Sequence, residues 1–220
     1  MTLLRIPYRV MKRINGFTER AKASRAYSRR LKAASTALGA VVQPLKLHLG
    51  CGGISFQGWV NVDLENSTKA NLLWNLTDPF PLPDRCCSLI YSEHVMGHFT
   101  VEDGLKIFRE SHRLRAPGGM LRVAMPSFEY CVESYVKDSW RPDFDRWEEL
   151  RGVKTRCEAV NVAMRWWGHL WLYDREELHR RLAEAGFRQI HDVEWGKSSV
   201  QELCNREIRV ETLLIVEATK

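Results

Sequence analysis

Beyond Pro44 the chain alternates short apolar runs, bounded by glycine, proline and asparagine, with longer stretches whose apolar residues return at helical spacing. Strands are expected at 46–49, 60–64, 71–74, 88–92, 120–125, 189–194 and 213–217, each a compact run between turn formers. Helices are expected at 101–114, where Leu105, Phe108, His112 and Arg113 lie near one face and Pro117-Gly118-Gly119 closes the element, and at 175–185, closed by Gly186. Strands interleaved with helices describe an α/β sheet. No internal repeat or low-complexity stretch interrupts the pattern.

One connection is too short for that architecture. Only about eight residues separate Gly50 from Trp59, whereas a helical crossover between parallel strands needs about a dozen. One face of the sheet is therefore expected to lack a crossover helix. The amino-terminal stretch offers a cover: Tyr27, Leu31, Ala34 and Leu38 recur at helical spacing, so a helix over 18–38 is expected to dock on the open face.

Composition sharpens this division. Of 220 residues 45% are hydrophobic and 27% charged, which suits one globular domain, and no apolar run approaches the ~20 residues that span a bilayer. The net charge of +6 is uneven. Residues 1–40 carry ten Lys/Arg against the single acid Glu19, while the remaining 23 basic and 26 acidic residues sum to −3. A nucleic-acid groove on the domain is thus not implied. For the basic extension, with a first apolar stripe at Ile6, Val10, Ile14 and Phe17, a solvated tail, an anchor on anionic lipid, a targeting peptide and a docked helix all remain readings. The favoured combination is the docked helix preceded by a basic end that touches membrane lipid.

Candidate chemistry concentrates where the first two strands end. Gly50, Cys51, Gly52 and Gly53 follow the first strand, and Asp63 closes the second. Glycines admit a ligand that a Cβ would push away, and a carboxylate accepts ribose hydroxyls, so a nucleoside cofactor is the first reading, beside a plain strand-to-loop bend. The spacing departs from the dinucleotide fingerprint, since no third glycine opens a helix and Asp63 follows Gly50 by 13 residues rather than about 20. The cysteines at 51, 86, 87, 131, 157 and 204 show neither a Cys-x-x-Cys pair nor a histidine at metal-ligand spacing, so no metal is expected, and reduced thiols in the cytoplasm are. Cys51 reads as a small residue tolerated by a tight bend.

These pieces, in this order, resemble the class I S-adenosylmethionine-dependent methyltransferases, in particular a bacterial group associated with cell-surface polysaccharide genes. The resemblance runs from Leu45 to Lys220 and rests on four blocks. The first spans Gly50-Cys-Gly-Gly to Gly58-Trp-Val-Asn-Val-Asp63, and the second joins Asn75-Leu-Thr-Asp78 to Ser92-Glu-His94-Val-Met-Gly97-His98-Phe99. Pro117-Gly-Gly119 is the third, and Tyr173-Asp-Arg-Glu-Glu-Leu178 with Ala185-Gly-Phe187 the fourth. The resemblance implies a Rossmann-like, doubly wound seven-stranded sheet, mostly parallel with the last strand antiparallel and helices on both faces. It implies S-adenosyl-L-methionine as cofactor, with Gly50, Cys51 and Gly52 at the methionine part, Asp63 at the ribose, and Asn75, Leu76 and Thr77 at the adenine. Two positions depart from it: Gly97 stands where relatives commonly have Glu, and Ser88 where Asp often opens the fourth strand.

Transfer of a methyl group to a hydroxyl calls for a base, and His98 and His94, at the carboxyl end of the fourth strand, are the candidates, beside packing roles within the fold. The stretch 127–173, with Trp140, Trp147, Trp166, Trp167 and Trp171, is expected to form a lid over the acceptor, although most of these rings also suit plain packing. Trp166, Trp167, His169 and Tyr173 are candidate acceptor contacts, and Arg165 would meet an acidic one. The expected acceptor is a small-molecule or glycan hydroxyl, with a role in envelope polysaccharide synthesis. A base methylase is disfavoured because the chain lacks an Asp/Asn-Pro-Pro-Tyr/Phe segment. The alternative is a non-catalytic nucleoside-binding or scaffold protein.

Overall fold

A computed structural model describes residues 25–34, 38, 44–66, 68–142 and 152–220. The first apolar stripe of the basic extension, with the lipid contact expected there, and Trp147 lie outside them. Seven strands, β1 (Leu45–Leu49), β2 (Val60–Asp63), β3 (Leu72–Leu73), β4 (Cys87–Glu93), β5 (Arg115–Met125), β6 (Gln189–Asp192) and β7 (Leu214–Thr219), form one sheet. Their spatial order is β3-β2-β1-β4-β5-β7-β6, with β7 antiparallel to both neighbours and the other pairs parallel. This is the Rossmann-like sheet with one reversed strand.

Side-chain alternation divides the sheet into two unlike faces. Leu45, Leu47 and Leu49 of β1 share a buried apolar cluster with Val60 and Val62 of β2, Leu121 and Val123 of β5, and Leu214 and Val216 of β7. Helix α1 (residues 25–34), helix α2 (Val101–Leu114) and a later helix, Arg175–Glu184, close this face, supplying Ala34, Leu105, Phe108, Leu178 and Leu182. Thr100 starts α2 by accepting from the Asp103 amide, with Glu102 and Asp103 placed at the positive end of the helix dipole.

The opposite face mixes polar and apolar side chains, Leu89 and Tyr91 among the latter, and has a different cover. His48, Asn61, Arg122 and Glu217 are buried there. Phe56 and Trp59 of the β1–β2 loop, with Val200 and Leu203 from a short 3-10 turn, close over it. Asn61 pins the loop by donating to the carbonyls of Phe56 and Trp59 at 3.1 Å each and accepting from the Phe56 amide at 2.8 Å. Arg122 donates to Glu207 and Glu217, at 2.6 Å each, and so ties the carboxyl-terminal segment to the sheet. The guanidinium of Arg206 lies 4.4 Å from the Phe56 ring centre.

The amino-terminal helix docks, but not where the short β1–β2 connection suggests. Described as α1 over 25–34, it packs on the same apolar face as α2, with Tyr27 5.7 Å from Trp74 and Arg30 paired to Asp78 at 2.8 Å. The expected assignment to the open face is corrected: there Phe56 and Trp59 of the β1–β2 loop, with Leu203, already cover Leu89, Tyr91 and the buried polar side chains. Helix α2 ends at Leu114, before Pro117, and β5 takes up pairing at once through Arg115 and Cys87. Gly119 sits so close to the carbonyls of Ser88 and Cys87, 2.8 and 2.9 Å from its ideal Cβ position, that only glycine fits. The expected strand start at 120 is thus moved back to Arg115.

Docking of α1 has a measurable consequence. Ala34 is fully buried, so Ala34→Asp places an unpaired carboxylate against the core and is expected to lower the Tm by about 5–15 °C, on a cost of a few kcal/mol. An unchanged melting temperature contradicts the packing described.

Candidate active site

Gly50 ends β1 with φ of +64°, and a Cβ there would collide with Val95. Gly52 (φ +51°) has nothing within 4 Å of its Cβ position, so its outer side is open. The turn is clasped to the end of β2: the Gly52 amide donates to Asp63 Oδ2 at 2.9 Å, while Oδ1 accepts from the amides of Leu64 and Glu65 at 2.7 and 3.1 Å. Three backbone donors occupy a carboxylate with about four acceptor places, which leaves Oδ2 one place for a further donor. Cys51 is buried, and burial followed by the Asp63 charge pushes its thiol up to about 11, so it is an inert packing residue. All six cysteines are free.

Asn75, Leu76 and Thr77 lie after β3 in a turn that Asn75 closes on itself, its Oδ1 accepting from the Thr77 amide at 3.1 Å and hydroxyl at 2.9 Å. Leu76 is buried in the core. Backbone atoms, rather than the leucine side chain, are what this segment presents.

A cavity of about 690 Å³ opens beyond the carboxyl ends of β4 and β5. Helix α3 (Phe128–Lys137) starts there, capped by Ser127 accepting from the Tyr130 amide, and presents Tyr130, Ser134 and Tyr135. Helix α4 (Arg156–Asn161) begins with a capping box of Thr155 and Glu158 and runs into a π turn, Val162–Trp166. Opposite lie His94, His98, Trp167 and His169, with Arg209 from the loop before β7. Gly50, Gly52 and Asp63 do not line this cavity. Val95 joins the two places, backing Gly50 while His94, its neighbour, borders the cavity.

The candidates from the sequence divide clearly. His94, His98, His169 and Trp167 come together around one cavity. Trp166 is 69% exposed and borders neither this cavity nor the smaller recess of about 40 Å³ beside it. Tyr173 lines the small recess, is 2% exposed and packs edge-on against Phe108. Sequence reasoning missed Tyr130, Ser134 and Tyr135, although their i, i+4 and i+5 spacing was visible, and Arg209, whose approach across the fold leaves no local signal.

The histidines differ in electrostatics. Burial, reinforced by Arg209, His169 and His98, holds His94 down to about 3. His169 is also lowered, by burial first, against the opposing hydrogen bond to the Ala163 carbonyl at 3.1 Å. Its ring stands 5.0 Å from that of His98. Among the described residues no group of three or more His, Cys, Asp or Glu is arranged to hold a metal ion. No described helix is long and apolar enough to cross a membrane.

Gly97 seats the loop that carries His169, Leu170 and Trp171. Its carbonyl accepts from the amides of Leu170 and Trp171 at 2.7 and 3.2 Å, and its Cβ position lies 3.1 Å from the His169 ring.

No protein-family model matches the chain, and the curated proteins contain no match to it. Among solved structures, it is similar to a SAM-dependent methyltransferase from Archaeoglobus fulgidus at 14% identity, covering 80% of this chain and 86% of that one, with a TM-score of 0.49. A SAM-dependent methyltransferase from Thermotoga maritima aligns at 15% identity over 94% and 95% of the two chains, with a TM-score of 0.42. Human N-acetylserotonin methyltransferase in complex with SAM aligns at 16% identity over 89% of this chain and 52% of its own, with a TM-score of 0.47. The strand order defines the architecture independently of these likenesses: a seven-stranded Rossmann-like sheet, with a cavity beyond the carboxyl ends of β4 and β5.

The lid contact is directly testable. Gly97→Glu introduces a side chain where His169 and the Trp171 carbonyl stand within 3.4 Å of the Cβ position. Amide exchange at Leu170 and Trp171 is expected to quicken at least about tenfold, with the strands β1 and β4 unaffected. Unaltered protection of both amides contradicts this seating.

Proposed function

We propose that this chain is an S-adenosylmethionine-dependent methyltransferase that methylates a hydroxyl of a small molecule or glycan. The clasp between Gly52 and Asp63 is the observation that carries the reading. Its open outer side admits a ligand, and the free place on Oδ2 suits a ribose hydroxyl. A pyrophosphate would meet the Asp63 carboxylate and would lack a helix amino terminus, because residues 50–59 contain no helix. An uncharged nucleoside with a zwitterionic tail is the better fit. The four sequence blocks that resemble class I methyltransferases support the same ligand.

When bound, S-adenosylmethionine supplies an electrophilic methyl group. The chain's own residues do the rest: they hold an acceptor in line, exclude water and take its proton. The cavity volume lies within the range of ligand sites, about 300–1,000 Å³. Tyr130, Tyr135, Trp140 and Trp167 border the cavity, and such aromatic residues suit a sugar or aromatic acceptor. A sugar on envelope polysaccharide or its lipid-linked precursor is the acceptor class we favour, reached from the cytoplasmic side, with the basic residues of 1–40 in contact with anionic lipid.

A second reading, a nucleoside-binding scaffold without turnover, draws on Gly97, where the lid fills the space a side chain would occupy. Calorimetry separates ligand from reaction. S-adenosylmethionine is expected to bind, and Asp63→Ala to raise its Kd about 5- to 150-fold, from ~1–3 kcal/mol for a lost hydrogen bond to a charged group. Formation of S-adenosylhomocysteine with a pool of glycans, lipid-linked sugars and phenols supports the enzyme, and binding without it supports the scaffold. Equal affinity in Asp63→Ala overturns the ribose assignment.

A further inference from the structure

Three histidines border the cavity, and among the described residues His94 is the one of them whose ring is hydrogen-bonded to a side chain from a distant part of the chain. Its Nε2 lies 2.9 Å from Thr212 Oγ1, and that hydroxyl lies 2.7 Å from Glu93 Oε1. A carboxylate at neutral pH only accepts, so the threonine spends its single proton on Glu93 and must accept from the histidine. Nε2 therefore carries hydrogen. A neutral imidazole then has Nδ1 as its bare acceptor.

Each member of this chain is itself fixed. Glu93 Oε1 also accepts from the amides of Ile208 and Arg209, at 3.1 and 3.3 Å, so backbone donors orient the carboxylate. His94 is a non-glycine residue with φ of +54°, at the end of a central strand, where its amide donates to the Ala124 carbonyl at 2.9 Å. A left-handed conformation at such a residue is costly and persists where surrounding contacts enforce it, commonly at functional sites. By contrast, His169 donates Nδ1 to the Ala163 carbonyl, and His98 touches the ring of His169.

We propose that Glu93 and Thr212 are positioning residues that hold His94 as the Nε2–H tautomer, making Nδ1 the atom that takes the proton of an acceptor hydroxyl. This rests on the methyltransferase reading and moves the base from His98, the first candidate in the sequence, to His94. In the step, the hydroxyl oxygen bonds to the methyl carbon as that carbon's bond to sulfur breaks and leaves its electron pair on sulfur, while the O–H proton passes to Nδ1. Charge balances, because one sulfonium charge disappears as one imidazolium appears. That imidazolium keeps its Nε2–H on Thr212, with the Glu93 carboxylate one hydrogen bond further on; because burial and Arg209 disfavour the charged ring in the resting site, His94 is neutral until the methyl group transfers.

Nitrogen-15 NMR of the histidine rings in the full chain tests this, with His94→Gln to assign the signals and calorimetry of S-adenosylmethionine alongside. The expected spectrum shows a protonated Nε2 and a bare Nδ1 on His94 at pH 7. Thr212→Val is expected to mix the tautomers and cut S-adenosylhomocysteine formation with catechol at least about tenfold while the Kd for S-adenosylmethionine stays within twofold, and Thr212→Ser to restore both tautomer and rate. Hydrogen on Nδ1, or a Thr212→Val variant with unchanged tautomer and rate, overturns the proposal while cofactor binding, if present, leaves the methyltransferase reading standing. Failure of S-adenosylmethionine to bind, with the tautomer as expected, overturns the methyltransferase reading and the proton step with it.

Discussion

Two neighbouring parallel strands must be joined by chain that travels back along the sheet, and between β1 and β2 residues 50–59 are all there is. Extended, ten residues reach about 33 Å, enough to return past a five-residue strand but not with a helix included. Much of the molecule answers to that constraint. The loop leaves β1 through a glycine turn, returns along the sheet through tight turns closed by the Ile54–Cys51 and Trp59–Phe56 backbone hydrogen bonds, and re-enters β2 close enough for Asp63 to clasp Gly52. A functional-looking clasp and an economical connection are the same piece of backbone.

The same shortness explains why the sheet has unlike faces. Without a crossover helix, that face is covered by the loop itself: Phe56 and Trp59 pack on Leu89 and Tyr91, and His48, Asn61, Arg122 and Glu217 are buried alongside. Such groups are stable only when paired. Phe56, stacked 4.2 Å from His48, and Asn61, bonded to the loop backbone, satisfy the β1 side. Arg122, with Glu207 and Glu217, satisfies the β5 side and in doing so anchors the segment leading to Glu93, Arg209 and Thr212. Glu207, which Arg122 holds, immediately precedes Ile208 and Arg209, whose amides donate to Glu93 beside the cavity.

Legibility in the sequence followed the range of the interactions. Strand positions were readable because alternation is local: β1, β2 and β4 lie within one residue of their expected limits, and α2 matches at both ends. β5 began early because pairing with Cys87 outweighed the glycines that seemed to terminate α2. Tyr27, Leu31 and Ala34 announced a docked helix but not its face, since the polarity of the opposing side chains is a property of strands far away in the chain. Gly97 read as a missing carboxylate, and the structure makes it a seat for Leu170 and Trp171. Arg209 and Thr212 were invisible for the same reason: their contacts with His94 span more than a hundred residues.

The central claim is spatial, that a nucleoside lies on the Gly50–Asp63 clasp with its reactive end toward the cavity that His94 borders. A crystal structure of the chain with S-adenosylhomocysteine tests it most directly. The account predicts ribose density against Asp63 Oδ2, the adenine beside the Asn75–Thr77 turn, and sulfur facing the space enclosed by His94, His98 and Trp167. Density confined to another site, or a turn closed over by the protein's own side chains at saturating ligand, would contradict it.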